Sequence, residues 1–359
     1  MVLRTFERHL AREIFSATAL VTAAFLALFG FFDLIGELAS LGKGGYQLLD
    51  AVGFVALTLP GRIYEILPVT VLIGSLYALT HLARDSEITV LRASGLSTTE
   101  LLVSLVRIAV VFVLLTLAIG EFVVPPAEKA AQAMRLRAMG SLVGQNFRSG
   151  LWVKDDLSFV NVREVSPDAG LKGIRIYAFD TEFRLHSISE AESGIYLGDQ
   201  QWRLSKLVRT EFLTDGAKVE WLDTLDWKSG LNPDLVSVLM VNPERMSLPT
   251  LYRYVSFLDS NQQKSARYEI ALWKKLIYPL AAVVMMLLAL PFAYMQDRMG
   301  AISVRVFSGI MLGVGFYMLN GLFSSLGVIN SWPPFYSAIT PSVIFLLAGA
   351  SLLWWVERR

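Results

Sequence analysis

The chain has 359 residues, 54% of them apolar and only 18% charged, with a mean hydropathy of +0.51. A soluble domain carries about 25% charged residues, so a wholly soluble chain is excluded. The net charge of +1 lacks the basic excess of a nucleic-acid binder, and the absence of cysteine removes disulfides and thiolate metal sites.

The charges are unevenly placed. Of the 63 Lys, Arg, Asp and Glu residues, 36 lie between Pro125 and Tyr268, 18 of each sign. That middle segment can be soluble and the flanks cannot. The sequence therefore divides into residues 1–124, 125–268 and 269–359.

Arg4, Arg8 and Arg12 precede an apolar run over residues 14–32. It is longer than the ~7–15 residues of a signal-peptide core. It leads to Asp33 and Glu37 rather than to small residues, so it reads as an uncleaved first span over 14–38. A membrane helix needs about 20 apolar residues. Residues 55–82 form the second span, with Pro60, Arg62, Glu65 and Pro68 inside it. The spacing predicts a short helix over 84–94, stopped by Gly95. Ile88, Leu91 and Ser94 fall on one face, with Glu87 beside them. Ser97 and Glu100 form a capping box that opens the third span over 101–124. The charged helix is either a docking element for a soluble partner or a simple connector.

From residue 151 the period changes. Short β-favouring runs at 151–153, 159–162, 174–179, 195–197, 202–204 and 219–221 are separated by Gly, Asp, Asn and Pro. That spacing predicts an all-β sandwich or barrel. Three more spans follow, over 270–295, 304–326 and 335–356. Pro68, Pro279 and Pro291 are expected to kink their helices. Gly309, Gly313 and Gly315 make a small-residue stripe in the fifth span, suited to internal packing, to a gate or to a subunit seam.

The chain thus reads as an α+β membrane protein, six transmembrane helices arranged three and three around an inserted β domain. Lys and Arg near the membrane set orientation. With the N-terminus cytoplasmic, Arg4, Arg8, Arg12, Arg84, Arg92, Arg107, Arg298, Arg305, Arg358 and Arg359 lie inside. Lys43, Arg62, Arg135, Arg137, Lys274 and Lys275 lie outside. The excess favours cytoplasmic termini and an external, in a bacterium periplasmic, middle domain. The outer cations either snorkel to the interface or attract an anionic lipid head group.

Catalytic chemistry is not visible. His9, His81 and His186 are spread over the chain, and no metal site is expected. Residues 36–43 miss the spacing of a phosphate loop, and no G-x-S-x-G or H-E-x-x-H motif occurs. No catalytic residue and no cofactor of its own is expected, so any energy source lies in a partner. On the residues alone a permease subunit, a membrane sensor or assembly factor and, more weakly, a membrane enzyme all stay open.

The order and spacing of Ser86-Glu-Ile-Thr-Val-Leu-Arg-Ala-Ser-Gly95, Ile119-Gly-Glu-Phe-Val-Val-Pro125, Gly150-Leu-Trp-Val-Lys-Asp155, Gly173-Ile-Arg-Ile-Tyr-Ala-Phe179 and Arg267-Tyr-Glu-Ile-Ala-Leu-Trp-Lys-Lys275 resemble the LptF/LptG permease family along essentially the whole chain. The resemblance implies membrane subunits of the transporter that extracts lipopolysaccharide from the bacterial inner membrane, LptF paired with LptG above two copies of the ATPase LptB. It implies that the inserted domain is a periplasmic β-jellyroll passing lipid to LptC. Asp85, Ser86, Glu87, Ile88, Leu91 and Arg92 would then form the coupling helix, with Glu87 the leading contact. Lys43, Arg62, Arg135, Arg137, Lys274 and Lys275 would meet lipid phosphates, and Gly309, Gly313 and Gly315 would serve a gate between the first and fifth helices.

Overall fold

A computed structural model of the chain describes residues 2–139, 150–165, 170–213, 215–231, 233, 241–294 and 302–358. Ten helices and six strands can be set out in chain order among them. The helices are α1 (Val2–Leu38), α2 (Leu48–Arg84), α3 (Glu87–Ala93), α4 (Thr98–Ala118) and α5 (Val124–Met139), with a π-turn over Ile119–Val123 joining the last two. After the strands come α6 (Leu248–Ser260), α7 (Ala266–Ile277), α8 (Ala281–Tyr294), α9 (Ile302–Ile329) and α10 (Pro334–Glu357). The chain forms two compact units: Met1–Phe32, Leu59–Pro125 and Ala266–Arg359 in one, Asp33–Thr58 and Pro126–Ser265 in the other.

The first unit is helical and apolar. Among the described residues, six helices are long and apolar enough to cross a membrane: Thr5–Leu38, Leu48–Arg84, Thr98–Met139, Ala266–Phe292, Val306–Ile329 and Pro334–Val356. The second span is mostly enclosed, whereas the first, fifth and sixth expose most of their apolar surface. A hydrophobic all-round helix is stable when neighbours or lipid cover it, and both cases occur here. Leu72, Leu76 and Leu79 of α2 pack with Leu10, Ile14, Leu101, Leu105, Met285 and Met286. Thr22 and Thr70 hydrogen-bond between the first and second spans at 2.9 Å. The fourth span is broken by a 3₁₀ turn over Tyr278–Leu280, because Pro279 has no N–H to continue the α ladder. Pro68 and Pro291 instead lie within helices that continue through them. Arg298 and Arg359 lie outside the described residues.

The second unit holds a six-stranded antiparallel sheet: β1 (Leu151–Asp155), β2 (Ser158–Val165), β3 (Leu171–Phe179), β4 (Leu185–Gly198), β5 (Gln201–Leu213) and β6 (Gly216–Lys228). Each β-favouring run read from the sequence lies in a different strand. Neighbours in the sheet are neighbours in sequence, so the topology is a meander. Greek-key crossovers, which define a jellyroll, are not found among the described strands. Asp199 and Gln200, both at positive φ, make the two-residue turn that joins β4 to β5. Val160, Val162, Ile174, Ile176, Trp202, Leu204 and Leu207 are buried. Trp202 donates its indole N–H to the Leu231 carbonyl at 2.7 Å. The Lys154-Asp155-Asp156 end of β1 is tied to Asn261 and to the Ser229-Gly230 segment. Lys154 donates to the Asn261 carbonyl at 2.9 Å, and Asp155 accepts from the Ser229 hydroxyl at 2.5 Å.

Candidate functional site

The loop between the second and third spans is built from the capping signals in its sequence. The Ser97 hydroxyl accepts from the Glu100 amide at 3.2 Å, and the Glu100 carboxylate accepts from the Ser97 amide at 2.9 Å. This capping box starts α4. Gly95, at φ +102°, ends the preceding helix in a conformation that suits glycine. That helix is shorter than the expected 84–94. Arg84 belongs to α2, and Asp85 and Ser86 form a turn with Ser86 at φ +62°, so α3 begins at Glu87. A positive φ interrupts the helix where the spacing of apolar residues alone could not reveal it.

Side chains on α3 face two ways. Ile88 is buried in the membrane unit's core and Leu91 packs against it. They anchor the helix and leave little for a partner to touch. The outward face carries Val90, 64% exposed, together with Ala93, while Ser94, expected on the face of Ile88 and Leu91, lies just past the end of α3 and is exposed. Val90 escaped the sequence reading, although it lies three residues from Glu87 on the face away from Ile88. Glu87 pairs with His9 of α1 at 3.3 Å, and Asp85 pairs with His81 of α2 at 3.0 Å. Glu7 of α1 accepts from Arg107 of α4 at 2.6 Å and from Ser104 at 3.0 Å. The short helix is thereby stitched to the first span, the turn before it to the second span, and the first span to the third. Arg92 lies on α3, with its side chain outside the described residues.

The six cations expected at lipid phosphates divide three and three between the units. In the membrane unit, Arg62 pairs with Glu65 at 3.0 Å and lies 6.0 Å from the Phe29 ring centre. Lys275 is 4% exposed and faces Glu121 of the π-turn at 3.5 Å. Lys274, its neighbour on α7, is only partly buried. In the other unit, Arg135 faces Glu37 at 3.5 Å and lies over the Phe54 ring at 5.0 Å. Glu37 also accepts from the Tyr46 hydroxyl at 3.2 Å. Burial, with the negative charge of Glu37 nearby, pushes the Tyr46 phenol up to about 12. Lys43 and Arg137 are exposed. Arg62, Arg135 and Lys275 thus have internal carboxylate partners, which a lipid phosphate would have to displace.

The glycine stripe packs inward. A Cβ on Gly309 would collide with Leu76, and one on Gly313 with Val69, so both glycines admit the second span. Gly315 has open space within 4 Å among the described residues. Gly309 and Gly313 thus seat α9 against α2.

Six spans split around an antiparallel β insertion, with a short helix between the second and third spans, define a multi-pass membrane protein of the transport-permease type. The chain belongs to the lipopolysaccharide export system permease LptF/LptG family, whose model matches residues 8–355. It is 34% identical over 358 residues to the lipopolysaccharide export system permease protein LptG of Escherichia coli strain K12, covering 98% of each chain. It is 30% identical over 364 residues to the LptG protein of Haemophilus influenzae, covering 100% of this chain and 99% of the relative.

Proposed function

We propose that the chain is the LptG-type permease subunit of a lipopolysaccharide exporter in the bacterial inner membrane. The observation that carries this is the unbroken likeness over residues 8–355, laid on a frame of three spans, a β insertion and three spans. The likeness at 30–34% identity to full-length proteins named LptG favours this subunit over its sister LptF. Both termini and α3 face the cytoplasm in this reading, and the sheet is periplasmic, as the Lys and Arg distribution favours.

The division of labour follows from physics. Each buried CH₂ of an acyl chain contributes about 0.8 kcal/mol to membrane retention, so extracting a multi-acyl lipid requires an outside energy supply. The chain has no cofactor of its own, and two LptB subunits hydrolyse ATP. They dock on α3, where Glu87 and Val90 form the outward contact and Ile88 and Leu91 carry the motion into the bundle. LptF completes the lipid cavity, and the β unit hands lipid to LptC. Lys43 and Arg137, both exposed, are the first cations a lipid phosphate meets, ahead of Arg62, Arg135 and Lys275, which hold carboxylates.

Depletion of the chain in its host tests this reading. Lipopolysaccharide should cease to arrive at the cell surface and collect in the inner membrane. Normal arrival after depletion would refute it.

A further inference from the structure

Two of the sequence segments that mark the family meet inside the membrane unit. Glu121 belongs to the first, in the third span, and Lys275 to the second, in the fourth. Their side chains face each other at 3.5 Å, with Lys275 4% exposed. Charged residues within membrane spans are rare, and they mark function more often than mere packing.

The backbone around the pair is irregular on both sides. The third span passes through the π-turn Ile119–Val123, and Glu121 is its middle residue. The sequence explains the turn. Pro125 and Pro126 follow it, and proline has no N–H to reach the carbonyl four residues back, here those of Glu121 and Phe122. The hydrogen-bond ladder is therefore interrupted just where the charge sits, and such turns are frequent at functional sites. The fourth span breaks at the 3₁₀ turn Tyr278–Leu280, three residues beyond Lys275.

The second span joins the two irregular segments. Gly120 presses on the Tyr64 ring so closely that a Cβ there would collide with it. The Tyr64 ring is in turn 5.4 Å from the Tyr278 ring, and the Tyr278 hydroxyl donates to the Glu65 carbonyl. A softened third span, a broken fourth span and a proline-containing second span thus converge on one ion pair whose lysine is buried.

We propose that Glu121 and Lys275 are positioning residues for lipid transport: their ion pair fixes the rotational setting of the third span at its proline-weakened joint. Packing at Gly120 sets how close the spans come. The charge pair sets which way the joint faces, because a charge is far more costly than a methyl group to leave without its partner in this surrounding. The inference rests on the permease reading, and its test includes a measurement that does not.

The test uses the full chain with its partner subunits in proteoliposomes loaded with lipopolysaccharide. ATP hydrolysis and lipid released per ATP are measured for the wild type, Glu121→Gln, Lys275→Met and the exchange Glu121→Lys with Lys275→Glu. Single variants should keep ATP hydrolysis but release about five- to tenfold less lipid per ATP, the low end of coupling ratios between sites. The exchange should recover release. Independently, the cysteine-free sequence allows one nitroxide label at Phe122→Cys, a position 77% exposed beside the pair. Glu121→Gln should change the label's mobility and oxygen accessibility in the chain alone in nanodiscs, and the exchange should restore both. An unchanged label signal in Glu121→Gln, or wild-type release per ATP in both single variants, would overturn the proposal. So would an exchange variant that fails to assemble or stays as poor as the singles. A wild-type complex that releases no lipid would instead count against the permease reading, leaving the label measurement to judge the pair.

Discussion

At the scale of single residues, the charges named from the sequence were easier to find than to pair. Arg62 and Glu65 lie one helical turn apart, and their contact is legible in the spacing. Lys275 and Glu121 lie 154 positions apart, and nothing local in either segment selects the partner. The same holds for the glycines. The sequence shows a stripe of small residues without saying which neighbour fills it, and the structure separates Gly313, closed by Val69, from Gly315, which is open. Gly313→Leu should therefore destabilise the membrane unit by about 1–3 kcal/mol through overpacking, while Gly315→Ala leaves it within about 0.5 kcal/mol; thermal unfolding in detergent compares them. Tyr46 offers a pH test. Its phenol titrates near 12 when folded against an ordinary 10, so its contribution to stability is fully present below pH 10 and lost as pH rises towards 12. Tyr46→Phe should remove that part of the alkaline destabilisation, seen as a smaller fall in melting temperature over this interval.

At the scale of elements, periodicity identified the helices well and their surfaces less well. The spacing of Ile88 and Leu91 correctly placed them on one side of α3, but a short amphipathic helix does not announce which side meets the bundle. Burial settles that, turning Ile88 inward and Val90 outward. Ile88→Ala should thus lower stability by about 2–5 kcal/mol, whereas Val90→Glu should leave melting unchanged and weaken capture of the ATPase subunit in a pull-down. Equal loss of capture with intact melting for both would contradict the two-faced assignment. Ser97→Ala removes one arm of the capping box and should lower stability by about 1 kcal/mol. In the sheet, β4 to β6 run 13 or 14 residues, although only their apolar runs stood out in the sequence. The Glu, Arg and Ser residues between those runs mask the strands' length, because an exposed sheet face carries polar residues at every second position.

At the scale of the whole molecule, the three-plus-three arrangement around a β insertion was legible from composition, because bilayer thickness dictates the length of each apolar run. The extent of the third span was not. The charged residues after Pro125 suggested that the span ends there, and the compact membrane unit's stretch of chain does end at Pro125, but the helix itself continues through the π-turn to Met139. The sheet's meander order and the helix contacts within the membrane unit depend on long-range pairing that no local pattern encodes. The central claim is that this chain moves lipopolysaccharide out of a membrane at the expense of ATP hydrolysed by a partner. The most direct measurement is lipopolysaccharide release from proteoliposomes containing the chain with its sister permease, the ATPase and a soluble lipid acceptor. The account predicts ATP-dependent transfer to the acceptor that disappears when this chain is omitted; transfer that continues unchanged without it would contradict the account.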